Sequence, residues 1–132
     1  MKVELYWAVL VALMTSVMWA PHILKRIIEM QPYEAFRDPR HDRPTAAPWA
    51  QRAIRAHSNA IENFAIFGFL VLALLMLHRE TALTAIAAQI YFWARLAHYF
   101  VYLFAVPWLR TPIYLIGWAA QTVIGLTLLG VL

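Results

Sequence analysis

Four apolar stretches divide the chain. Leu5 to Leu24 carries no Asp, Glu, Lys or Arg, and Asn63 to His78 is a second such run. Thr81 to Ala94 is a third, continuing past a single Arg95 to Leu109, and Thr111 to the end is a fourth. A hydrocarbon core about 30 Å thick takes roughly 20 apolar residues in a helix. Each run approaches that length once the amphipathic lead-in of the second is counted. The pattern predicts an all-α integral membrane protein, one four-transmembrane-helix bundle over residues 1–132. The first helix is expected over Val3 to Ile28, kinked near Pro21, which has no backbone N–H to give. The second begins near Trp49, after "EMQPYEAFRDPRHDRPTAAP", whose prolines and charges read as an irregular loop. Turns at "HRET" and "VPWLR" are short enough to force antiparallel neighbours.

The composition agrees: 63% of the 132 residues are hydrophobic and 14% charged, with a mean hydropathy of +0.61. A soluble domain of that composition lacks the polar surface to cover itself. A basic start at Lys2 resembles a secretory leader, but Glu4 lies within it and Pro21 follows Ala20, the small residue at which cleavage would fall. The run is therefore kept as a helix.

Seven of the eleven basic residues (Lys25, Arg26, Arg37, Arg40, Arg43, Arg52, Arg55) fall between the first two apolar parts. That bias places this loop in the cytoplasm of an inner or plasma membrane, with both termini on the opposite side. Glu29, Glu34, Asp38 and Asp42 are interspersed among the cations, so despite a pI near 9.8 this is no nucleic-acid patch. With no cysteine there is no disulfide framework, thiolate metal site or protein thiol nucleophile.

The polar residues inside the spans fall on faces. At 100° per residue Arg52, Arg55, Asn59 and Glu62 lie within about 80° on the second helix, with Ser58 at the edge. Tyr91, Arg95, His98 and Tyr102 lie within about 60° on the third. Arg110 and Thr111 open the fourth, with Tyr114, Gly117 and Gln121 down one side. At 1.5 Å per residue Glu62 and Arg95 lie roughly 18 to 20 Å along their helices, close enough in depth to meet.

Ionised groups at the bilayer centre cost at least ~2.5 kcal/mol each, so these faces must turn toward one another, another subunit or a wet cavity. Polar residues can simply join helices. The surplus of Arg55, Arg95 and Arg110 over Glu62 points instead to an anionic guest. His57 points about 140° from Glu62, which rules out a shared metal.

"RAIRAHSNAIEN" from Arg52 to Asn63, followed by "ARLAHYFVYLFAVPWLRTPIY", resembles the signature blocks of the membrane-associated proteins in eicosanoid and glutathione metabolism, the MAPEG family. The chain departs from several members at Ser58, where they carry a basic residue, and at Ala65, where they carry proline.

The resemblance implies a homotrimer with sites between subunits, opening to the cytoplasm and holding glutathione. Carried over by position, Arg55, Asn59 and Glu62 would bind the tripeptide, Glu62 meeting its amino group. Arg95, His98, Tyr102 and Tyr114 would contribute, as would Arg26 or Lys25 from the end of the first helix. Arg110 takes the place of the thiol-activating arginine and Thr111 that of a hydroxyl residue. The implied activity is conjugation or reduction of hydrophobic electrophiles or lipid hydroperoxides arriving from the bilayer, in detoxification. Other readings are a non-catalytic relative binding an anionic metabolite or lipid headgroup, and a purely structural polar core.

Two carboxylates and one ammonium on glutathione match excess arginine and one glutamate. A thiol titrating near 8.5 becomes a better nucleophile beside a guanidinium that cannot lose its charge.

Overall fold

The computed structural model describes residues 1–37 and 45–132. Its helices are α1 Val3–Val17, α2 Ala20–Met30, α3 Pro32–Arg37, α4 Pro48–Met76, α5 Ala82–Leu103 and α6 Arg110–Leu128, with no strand among the described residues. Among the described residues three stretches are long and apolar enough to cross a membrane: Val3–Met30, Pro48–Met76 and Arg110–Leu128. The 22 residues of α5 span about 33 Å at 1.5 Å per residue, but Gln89, Arg95 and His98 make this helix the more polar one.

The expected kink falls at a two-residue turn: Met18 and Trp19 keep right-handed helical dihedrals but break the regular hydrogen-bond ladder, and α2 resumes with Pro21 in its first turn, where a missing N–H costs least. Pro21 has no proton for the Val17 carbonyl, and the Tyr99 hydroxyl donates to the neighbouring Met18 carbonyl at 3.1 Å.

The loop expected to be irregular is in part helical. α2 runs on to Met30, Gln31 turns the chain at φ 67°, and Pro32 opens α3. Glu34 in its first turn lies 3.7 Å from Arg37 in its last, each at the helix end that its charge favours. Asp38, Arg40, His41, Asp42 and Arg43 lie outside the described residues. Thr45 donates to Glu29 at 2.8 and 2.9 Å, and Gln51 donates to the Thr45 carbonyl at 2.8 Å, which fixes the entry to α4.

α5 is the central helix, packed on α1, α4 and α6. Lipid tails are as apolar as leucine, so packing and hydrogen bonds rather than water exclusion hold such helices together. On α4 the buried Ala50, Ala53, Ala56 and Ala60 let neighbouring helices approach closely. Deeper along the bundle the core is apolar: Val11, Phe67, Val71, Leu74, Ala87, Ala88 and Ile124. Tyr91 stacks on Phe67 at 3.8 Å. At the end where α1 begins, Thr81 and Thr84 cap α5 reciprocally, and the Thr84 hydroxyl lies 2.6 Å from the buried Glu4 carboxylate.

Candidate functional site

The polar end of the bundle is organised around Arg95. Only 3% of this residue is exposed, and its guanidinium is met by amides rather than a carboxylate. Nη2 donates to Asn63 Oδ1 at 3.1 Å and Nη1 to Asn59 Oδ1 at 3.5 Å, both on α4. Asn63 is itself held by donating to the Asn59 carbonyl at 2.8 Å. The Arg95 guanidinium also lies 5.1 Å from the Tyr91 ring and 4.9 Å from the Tyr114 ring, cation–π contacts that partly compensate its lost hydration.

Gly117 makes room for it. A Cβ there would come within 3.1 Å of Arg95 Nε and 3.2 Å of Nη2. Arg95 Nε is buried and has no hydrogen-bond partner.

Above this buried cation lies a cavity of about 180 Å³ lined by Asn59, His98, Tyr102, Arg110, Thr111 and Tyr114. All six are sequence candidates, and α4, α5 and α6 bring them together. The His98 ring is 5.8 Å from both Tyr102 and Tyr114. Arg110 opens α6, where the first N–H groups add to its positive charge. Its guanidinium lies 5.1 Å from the Tyr102 ring.

The turn delivering Arg110 holds Ala105 at φ 54° and Trp108 at φ 68°. This left-handed backbone costs a non-glycine residue about 1–2 kcal/mol. Among its described lining residues the cavity has a fixed cation and no carboxylate.

The expected meeting of Glu62 with Arg95 does not occur within the chain. Glu62 and Arg55 are exposed on α4, and the Ser58 hydroxyl donates to Glu62 at 3.4 Å. The polar face of α4 is divided: Asn59 and Asn63 turn toward α5, while Arg55, Ser58 and Glu62 turn out of the chain. Arg26 lies on α2, with Nε 3.4 Å from Met30 Sδ, and does not line this cavity. His57 packs beside His22, ring to ring at 5.6 Å, and no cluster of three or more potential metal ligands exists among the described residues.

Asn63, which holds Arg95, is the residue of the candidate site to which the sequence reading gives no role. At 100° per residue it falls about 20° from Arg52, on the same face, and that angle was the available signal. Arg52 itself donates Nε to the Leu103 carbonyl at 3.0 Å, tying the start of α4 to the end of α5.

An all-helical membrane protein with a cationic cavity at one end of its bundle is the class these features define. The family model described as MAPEG family matches residues 5–130, and the chain belongs to that family. MAPEG proteins are membrane proteins of glutathione and eicosanoid metabolism, including glutathione transferases and peroxidases as well as non-enzymatic members. Among curated proteins and among solved structures, none matches the chain.

Proposed function

We propose that this protein is a glutathione-dependent transferase or peroxidase acting on hydrophobic electrophiles or lipid hydroperoxides dissolved in the bilayer. The observation that carries the reading is the cavity of Asn59, His98, Tyr102, Arg110, Thr111 and Tyr114, cationic and without a carboxylate among its described lining residues, beside the buried Arg95. A small dianion with one ammonium fits such a donor set. Glutathione supplies the nucleophilic sulfur. Arg110, permanently charged, holds that sulfur as thiolate, and the Thr111 hydroxyl offers it a second donor. His98, Tyr102, Tyr114 and Asn59 shape and orient, and Arg95 raises the positive potential from below.

The reading extends to a homotrimer of four-span protomers, one unit over residues 1–132. Gln51, Arg55, Ser58, Glu62, Ala65, Phe69, Leu72 and Met76 form one exposed stripe on α4, spaced alternately by four and three as in a helix–helix seam. Facing lipid, Glu62 at mid-depth would cost at least ~2.5 kcal/mol, and Arg55 nearer the helix start a smaller amount. A second copy covering the stripe removes that cost and brings Arg55 and Glu62 to glutathione's carboxylate and ammonium. Arg26 would close the site from α2. The basic bias puts the α2–α4 loop in the cytoplasm and both termini across an inner or plasma membrane.

Calorimetric titration of the protein in lipid nanodiscs with glutathione, followed by turnover of a neutral electrophile, tests the proposal. Saturable binding with turnover is expected, and Arg110→Ala should lose turnover while still binding. No heat at millimolar glutathione would favour a relative that binds another anion.

A further inference from the structure

Two histidines outside the candidate site lie side by side. His22 is on α2 and His57 on α4, helices that pack together beyond the turn at Met18 and Trp19, and their ring centres are 5.6 Å apart. His22 is only 9% exposed, and its Nδ1 is buried with no hydrogen-bond partner among the described residues. The hydroxyl of Thr15, on α1, is buried and unpartnered in the same way. The Thr15 backbone carbonyl meets the His57 ring. A ring N–H directed at that carbonyl selects the tautomer whose other nitrogen carries a lone pair, and a histidine oriented in this way has the usual form of a metal ligand. A buried ring nitrogen left alone calls for a partner that the chain does not supply.

Spacing and charge select that partner. With metal–nitrogen bonds of about 2 Å, two imidazoles sharing one ion place their ring centres roughly 5 Å apart at a tetrahedral angle and roughly 6 Å apart in a line. The observed 5.6 Å falls between the two. Within one helical turn of either histidine, over residues 18–26 and 53–61, there is no Asp, Glu or Cys, while Lys25, Arg26 and Arg55 are cationic. No third His, Cys, Asp or Glu joins the pair among the described residues. A divalent ion would keep both of its charges uncompensated in a low-dielectric bundle, and the cost of burying charge rises steeply with its size. An ion of single charge that is satisfied by two neutral nitrogens avoids most of that cost, and imidazole is a good ligand for copper.

We propose that His22 and His57 form a two-coordinate site for a soft monovalent d10 cation such as copper(I). An ion held there ties α2 to α4. The site shares no residue with the cavity around Arg110 and does not rest on the glutathione reading.

The test titrates silver(I), an air-stable ion of that class, into the protein in nanodiscs in chloride-free buffer, with empty nanodiscs subtracted and zinc as the divalent comparison. One silver ion per chain is expected, bound at least about ten-fold more tightly than zinc. His22→Gln and His57→Gln, each checked for helix content by circular dichroism, should both weaken silver binding by more than the roughly 10- to 100-fold that losing a ligand's hydrogen-bond partner costs. His78→Gln should change nothing. X-ray absorption at the silver edge of the wild type reads the ligands without any substitution, and scattering from two imidazoles is expected there. The proposal is overturned by the absence of saturable silver binding, by zinc binding as tightly as silver, by silver binding that survives either histidine substitution, or by a spectrum with fewer than two imidazoles.

Discussion

The two ends of the bundle each bury an ionisable side chain to the same 3% exposure, and they treat it in opposite ways. Where α1 begins, Glu4 is met by the Thr84 hydroxyl within the cap of α5, and nearby Lys2 lies 3.5 Å from Glu80. Acid and base are both present there, and no cavity among those described reaches Glu4. At the other end Arg95 is enclosed by two amides and two aromatic rings, and Arg110 and Arg52 line open space nearby. Hydrogen bonds satisfy a buried cation's donors without cancelling its charge, and in a low-dielectric bundle that charge reaches far. The first end holds helices together. The second, on the proposed reading, receives an anion.

Substitutions at the two ends should separate these roles. The largest effect is expected at Arg110→Ala, about 100- to 1,000-fold in kcat, with glutathione binding retained by calorimetry. Arg95→Leu should come next. It leaves the Asn59 and Asn63 amide oxygens without their donor at about 1–3 kcal/mol of stability, and it should weaken glutathione binding besides. Gly117→Leu should mimic that binding defect by displacing the guanidinium, and Gly117→Ala, which asks Arg95 to give a few tenths of an ångström, should do so weakly. A Gly117→Leu variant that binds glutathione normally would show that Arg95 is only a helix joint.

At the opposite end Thr84→Val should cost about 1–3 kcal/mol in thermal unfolding while leaving turnover per folded molecule unchanged. Altered kinetics there would erase the distinction between the ends. The smallest effect is that of Glu80. Its own backbone N–H, and after it Lys2, hold its carboxyl below the ordinary carboxylate range. A lowered folded-state value gives stability that is present at neutral pH and lost as pH falls through that value. Glu80→Gln should therefore slightly flatten the acid limb of a stability–pH curve and change nothing at the glutathione site.

Much of the site end is legible in the sequence because helical angles and depths are fixed by the backbone. The start of α4, the two short turns and the convergence of Asn59, His98, Tyr102, Arg110, Thr111 and Tyr114 follow from periodicity and the family blocks. Which side chain meets which does not follow. A face 80° wide is wider than the contact between two helices, so Arg55 and Glu62 on one margin turn outward while Asn59 and Asn63 turn in. Arg95 differs from expectation for the same reason: opposite charge favours Glu62, but Asn63 is the residue turned toward α5. The turn at Met18 and Trp19 follows from Pro21, but the Tyr99 hydroxyl on its Met18 carbonyl and the short polar α3 carry no apolar period, so periodicity does not record them.

The central claim is that one end of this bundle carries positive charge left for an acidic thiol. An ultraviolet difference spectrum of glutathione added at neutral pH to the protein in nanodiscs tests it most directly. A thiolate band that saturates with glutathione and vanishes in Arg110→Ala is the predicted result. A missing band, or one of equal size in the variant, would contradict it.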